Sequence, residues 1–309
     1  MTELREIATG LRFPEGPIAI ADGTVLVVEI EGGRLIRCHP DGRTEVVAEL
    51  GGGPNGAAIG PDGHCYVCNN GGFNWVHHAD GFARPHGRAD AYTGGSIQRV
   101  DLATGAVETL YTHCGDVPLF GPNDIVFDWV RGGFWFTDHG KSHDRTMDRG
   151  ALYYAHEDGS FITEVAFSVI TANGIGLSPD GGTLYATETE TGRLWAWEVL
   201  GPGELAKDAW PSPAGGRMVG AASGYQRFDS LAVEADGNVC VASLVAGGIS
   251  VFAPDGSGRV EFVEMPEPYS TNICFGGPDL RTAYITLSGY GRLVALDWPR
   301  AGLPLVHQR

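Results

Sequence analysis

Glu15, Asn55, Asn123, Asn173, Asp229 and Asn272 each stand just before a short apolar run, at spacings of 40, 68, 50, 56 and 43 residues. The segments read P-E-G-P-I-A-I, P-N-G-A-A-I-G, P-N-D-I-V-F-D, A-N-G-I-G-L-S, F-D-S-L-A-V-E and T-N-I-C-F-G-G. Carboxylates and amides supply hard oxygen donors. If Glu15, Asn123, Asn173 and Asp229 met, their oxygens would suit Ca²⁺, Mg²⁺ or Mn²⁺. Two carboxylates would neutralise a divalent charge, and amides would add ligands without adding repulsion. Without a cation the two carboxylates would repel, and one would tend to protonate. A recurrence near 50 residues marks a repeat architecture. In a closed ring, equivalent positions converge on one axis, which is the condition this chemistry needs.

The elements that must do the positioning are strands. Residues 16–48 contain G-P-I-A-I, T-V-L-V-V-E, R-L-I-R-C-H and R-T-E-V-V-A, separated by Asp22-Gly23, E-G-G and Pro40-Asp41-Gly42. Four β-rich runs between turn residues make a four-stranded meander. The unit returns around Pro61-Asp62-Gly63, Pro179-Asp180-Gly181 and Pro254-Asp255-Gly256. Insertions are expected at about 69–95 in the second unit and 138–150 in the third. The sixth unit lacks a fourth strand, and L-R-E-I-A near the start is expected to supply it and close the ring. The expectation is an all-β chain, residues 1–309 forming one six-bladed β-propeller domain.

Bulk composition narrows the function. The chain has 309 residues and a formal charge of −17 with no block of like charges, so nucleic acid and anionic membrane are poor partners. No apolar run approaches a membrane span. The segment M-T-E-L-R-E-I-A-T-G has no apolar leader region, and a cytoplasmic location is expected. Six scattered cysteines contain one C-x-x-C, Cys65 and Cys68. On a strand these point to opposite faces, and no second pair completes a zinc site, so buried free thiols are expected.

The insertions hold further candidates. His77, His78, His86, His139 and His143 lie there, as do Phe73, Trp75 and Tyr92. Long loops at a channel mouth act as lids or specificity walls. Asp138-His139, directly after the strand G-F-W-F-T, is the strongest loop pair. Trp75 and Tyr92 are candidates for covering a ligand, and Asn55 and Asn123 for touching it. Trp135, Trp195 and Trp197 lie in strands and read as core.

These motifs resemble the SMP-30/gluconolactonase/luciferin-regenerating-enzyme family. The likeness is strongest in E-G-P, P-N-D-I, A-N-G-I-G-L-S-P-D-G-G-T-L-Y, D-S-L-A-V-E-A-D-G-N-V and T-N-I-C-F-G-G. It implies a six-bladed propeller with one divalent metal at the channel mouth, hydrolysing sugar lactones and related cyclic esters. It implies Glu15, Asn173 and Asp229 as metal ligands, Asn123 beside the metal or substrate, and Asp229 as general base. The oxygen set admits Ca²⁺, Mg²⁺, Mn²⁺, Zn²⁺ or Fe²⁺, with Ca²⁺ the first expectation. Two positions depart from the family: Gly121 where some members carry Arg, and Ser230 where Gly is usual. The first removes an anchor for a substrate hydroxyl. Alternatives on the same fold are a phosphotriester hydrolase, a condensing enzyme resembling strictosidine synthase, and a non-catalytic binding platform with a structural ion.

Overall fold

The computed structural model describes residues 4–309. Residues 1–3 of the N-terminal segment M-T-E-L-R-E-I-A-T-G lie outside the described residues. Six antiparallel sheets follow one another along the chain. Blade one comprises Pro14–Ala19, Val25–Glu29, Arg34–Cys38 and Thr44–Glu49. Blade two comprises Pro54–Ile59, Cys65–Asn69, Ser96–Val100 and Val107–Tyr111. Blades three to five open with Pro122–Phe127, Ala172–Leu177 and Arg227–Val233. Blade six comprises Ser270–Gly276, Thr282–Leu287 and Arg292–Asp297, and Arg5–Ala8 pairs with its third strand. The opening strands of successive blades touch, and the sixth returns to the first. This is the expected six-bladed propeller, closed by the N-terminal strand.

The sequence pattern explains the packing. A propeller blade is covered on both faces, so its strands read as apolar runs rather than as half-polar alternation. Val25–Glu29 is buried at every position. Val25 and Val27 pack toward blade six, and Leu26 and Val28 toward blade two. Six hydrophobic clusters result, each bridging two neighbouring blades. Cys65 and Cys68 fall in different clusters, as the period of two requires, and both thiols are free. Burial pushes the Cys65 thiol up to about 12. Trp135, Trp195 and Trp197 are core. The D-G turns work through their aspartates. Asp22, Asp62, Asp180 and Asp236 each accept the backbone N–H two residues on.

The first insertion is a hairpin, Phe73–His77 with Ala83–Arg88. The second has little regular structure beyond the isolated bridge Ser142↔Met147. Among the described residues no helix is long and apolar enough to cross a membrane.

One buried carboxylate ties the end of the chain to blade five. Glu234 is fully buried. It accepts Trp298 Nε1 at 2.6 Å, Arg300 Nε at 2.6 Å and Asn238 Nδ2 at 2.9 Å. Burial alone would raise its pKa, but these donors outweigh it and the net direction is downward. Stability from this group is therefore present above the usual Glu range and lost as pH falls through the lowered value. Glu234→Ala leaves the Trp298 indole and Arg300 Nε without their acceptor. A loss of about 3 kcal/mol is expected, read as a lower urea midpoint at neutral pH.

Candidate metal centre and active-site cleft

Every opening strand carries a one-residue bulge at the same place. Register shifts fall between Glu15 and Ile18, Pro54 and Ala57, Pro122 and Ile125, Ala172 and Ile175, Phe228 and Leu231, and Ser270 and Asn272. A bulge bends the strand and re-aims side chains. Here it turns five polar residues into one cleft at the channel mouth. Glu15, Asn55, Asn123, Asn173 and Asp229 all line it, with a free volume of about 300 Å³.

The bulge corrects the sixth position. Matched by register, the counterpart of Glu15 in blade six is Thr271, not Asn272. Asn272 lies one residue deeper, level with Gly16, Gly56, Asp124, Gly174 and Ser230. Two bonds mark the equivalence: Ile125 N donates to Asp124 Oδ1, and Ile273 N donates to Asn272 Oδ1. The same register explains the repeated N-G, which is not a turn. A Cβ on Gly56 would lie 2.4 Å from Asn123 O, and one on Gly174 would lie 2.6 Å from Leu231 N. At Gly56 and Gly174 the neighbouring innermost backbone approaches too closely for a side chain.

Hydroxyls on neighbouring blades fix the bulged backbone. Thr137 Oγ1 donates to Asn173 O at 2.6 Å, Thr187 Oγ1 to Asp229 O at 2.7 Å, and Ser288 Oγ to Pro14 O at 2.5 Å. Side chains are held too. Gly16 N and Asn272 Nδ2 donate to Glu15 Oε2 at 2.9 and 2.8 Å. Asn173 Nδ2 donates to Thr189 Oγ1 at 2.9 Å, which leaves its amide oxygen to the cleft. Ser230, the departure from the usual Gly, sends its hydroxyl toward that oxygen at 3.4 Å.

Charge in the site is out of balance. Burial raises the pKa of both Glu15 and Asp229, and the field of Glu15 raises Asp229 further. A third carboxylate, Asp124, lies just below them in the channel. Burial, then Glu15, pushes it up to about 7. Asn123 Oδ1 is buried and has no hydrogen-bond partner. An orphaned amide oxygen and two mutually repelling carboxylates at one cleft are what an oxygen-liganded cation would relieve. Among the described residues no three His, Cys, Asp or Glu side chains are grouped to hold a metal by themselves. The candidate donor set mixes two carboxylates with amide oxygens.

The loop candidates divide. His139 lines the cleft, and burial followed by the nearby Lys141 charge pushes its pKa down to about 4. Asp138 does not reach the cleft. Its carboxylate accepts Phe120 N, Gly121 N and Gly140 N, and so sets the corner after its strand. Trp75 packs behind the wall, 5.0 Å from the Phe13 ring centroid and 6.4 Å from that of Phe73. Phe13, Phe73 and Tyr269 line the cleft instead. Tyr92 donates to Phe120 O at 2.7 Å and lines a neighbouring groove instead. His77 and His143 pair at the surface with Glu31 and Asp148. Sequence reasoning missed Asp124, Lys141, Arg84, Arg88 and the Arg227–Glu190 ion pair, all of which lie at the channel or its cleft.

Residues 13–289 match the family model described as the SMP-30/Gluconolactonase/LRE-like region. The chain belongs to the SMP-30/gluconolactonase/LRE-like family. Among its family relatives is lactonase drp35 of Staphylococcus saprophyticus, 30% identical over 245 residues, covering 79% of this chain and 67% of the relative. The counterpart in Staphylococcus haemolyticus is 27% identical, covering 77% of this chain and 65% of its own. A gluconolactonase structure from Xanthomonas campestris superposes with a TM-score of 0.74 at 23% identity, over 96% of this chain and 90% of that one. The calcium-binding regucalcin of Agrobacterium tumefaciens gives 0.75 at 19%, over 98% and 95%. At such identities the structural likeness establishes the shared fold.

Proposed function

We propose that this chain, one propeller domain over residues 1–309, hydrolyses lactones with the help of one divalent cation. Glu15, Asn173 and Asp229 would hold the ion, with Asn123 as a further oxygen donor. The observation that carries the reading is the convergence of these side chains on one cleft, with Asn123 Oδ1 buried and unpartnered. The drp35 relatives are lactonases, and this chain spans about two thirds of their length. The calcium-binding neighbour makes Ca²⁺ the first cation to try.

The bound cation supplies positive charge that polarises the ester carbonyl. The chain's residues do the rest. An Asp229 carboxylate oxygen takes a proton from the attacking water and returns it to the ring oxygen as the acyl C–O bond breaks. Water and lactone become one hydroxy acid. Asp229 needs a free oxygen for this, so it would ligate through one oxygen only. Asn173, oriented by Thr189, holds its donor still. Neutral His139 offers a hydrogen bond to a substrate hydroxyl without adding charge.

The test is a panel of aldonolactones and aryl phosphotriesters, assayed after chelation and again after Ca²⁺, Mg²⁺, Mn²⁺, Zn²⁺ or Fe²⁺ is restored. Lactone turnover that the chelator removes and a cation restores is the expected result. Turnover of phosphotriesters alone would move the reaction class. A metal-free protein that turns over nothing would make the propeller a binding platform.

A further inference from the structure

We propose that the lactone accepted by this cleft carries a carboxylate, seated against Lys141, Arg84 and Arg88. This rests on the lactone-hydrolase reading and names the substrate class for it. The chain holds only 21 lysines and arginines against 38 acids. Four of the cations, Arg84, Arg88, Lys141 and Arg227, line this one cleft. Arg227 is ion-paired with Glu190. Among the described residues the other three have no carboxylate within ion-pair distance.

Lys141 is the telling one. It is 3% exposed, and its ammonium donates to Asn70 Oδ1 and Gly72 O, both at 3.2 Å. Those acceptors are neutral. The Phe73 ring lies 4.1 Å from Nζ, and the Tyr92 ring 5.3 Å. An ammonium has three N–H donors, so one is left over. A buried charge without a counter-charge is costly, and such groups are paired. Asp138, the acid whose field reaches Lys141, is occupied by three backbone amides. Burial accordingly pushes Lys141 down to about 7, a tension that an arriving anion would relieve.

The balance of charge points the same way. A divalent cation cancels Glu15 and Asp229, and Arg227 cancels Glu190. Positive charge then remains only on the wall made by the first insertion hairpin and the loop after Asp138. The volume of about 300 Å³ suits a six-carbon lactone. With its ester at Asp229, such a ring would direct its far end to that wall. Gly121 is consistent with this. It leaves the entry to blade three's opening strand without a cation, and a Cβ there would meet Gly140 O at 2.7 Å.

D-Glucono-1,4-lactone and D-glucaro-1,4-lactone differ only at C6, a hydroxymethyl against a carboxylate. Metal-loaded protein is expected to favour the glucarolactone in kcat/KM by about tenfold or more. Lys141→Met and the exposed Arg88→Gln should each cut that ratio several-fold, mainly through KM. Equal rates on the two lactones, or a ratio unmoved by both variants, would overturn the proposal. Calorimetric binding of the stable acids separates its failure from that of the hydrolase reading. If no lactone is turned over, the hydrolase reading fails, yet D-glucarate should still bind at least tenfold tighter than D-gluconate and lose that margin in Lys141→Met. Equal binding of the two acids, or tighter binding of 6-phospho-D-gluconate than of D-glucarate, would refute a carboxylate seat.

Discussion

Asp229→Asn is expected to lower lactone turnover by roughly a thousandfold or more while the propeller still folds. An amide keeps the shape and one ligand oxygen but cannot take a proton, and positioned general bases are worth about 10²–10⁴ in rate. The backbone of Asp229 is held through its carbonyl by Thr187 Oγ1, which the substitution leaves alone. Its side chain is half-buried beside Glu15, and the two negative charges oppose each other there. Removing one should raise the stability of the metal-free protein, by on the order of 1 kcal/mol. Activity and stability are thus expected to move in opposite directions, which ordinary structural damage would not produce. Initial rates at saturating cation, together with urea midpoints after chelation, read both. Activity within tenfold of wild type would remove Asp229 from the proton transfer. A large fall in both quantities would assign it a structural role.

What could be read from the sequence, and what could not, divides along one physical line. Repetition is legible, because each blade must cover the next and so repeats the same apolar run and D-G turn. Closure is legible too, since blade six ends one strand short and R-E-I-A is a strand without a hairpin partner. The bulge is not. A regular strand sends neighbouring residues to opposite faces, so only one of Asn123 and Asp124 would face the channel. The extra residue in each opening strand brings both toward the axis. In blade six the same register puts Thr271, not Asn272, at the position of Glu15. The insertions carry no periodicity at all. Trp75 and Tyr92 looked like ligand covers, whereas the hairpin turns Phe73, Arg84 and Arg88 inward. Asp138 is polar and sits beside the site, but three backbone amides claim it first.

Cation binding should be visible as stability, independent of any substrate. A ligand that binds only the folded state at a hundred times its Kd adds about 2.7 kcal/mol. For a chain of 309 residues that is a rise of roughly 4 °C in Tm. Much of the gain would come from relieving the repulsion between Glu15 and Asp229 and from giving Asn123 Oδ1 a partner. The formal charge of −17 demands one control, because any salt screens an acidic surface. The comparison is therefore CaCl₂ against NaCl of equal ionic strength, on chelator-treated protein. Glu15→Gln and Asn173→Ala should each abolish most of the extra rise. Asp255→Asn, which alters an exposed turn, should keep it. Screening acts on every acid alike, whereas the cleft acts through three particular side chains. A Tm rise that survives Glu15→Gln would place the ion elsewhere on the protein, and the hydrolase reading would lose the group that polarises its substrate.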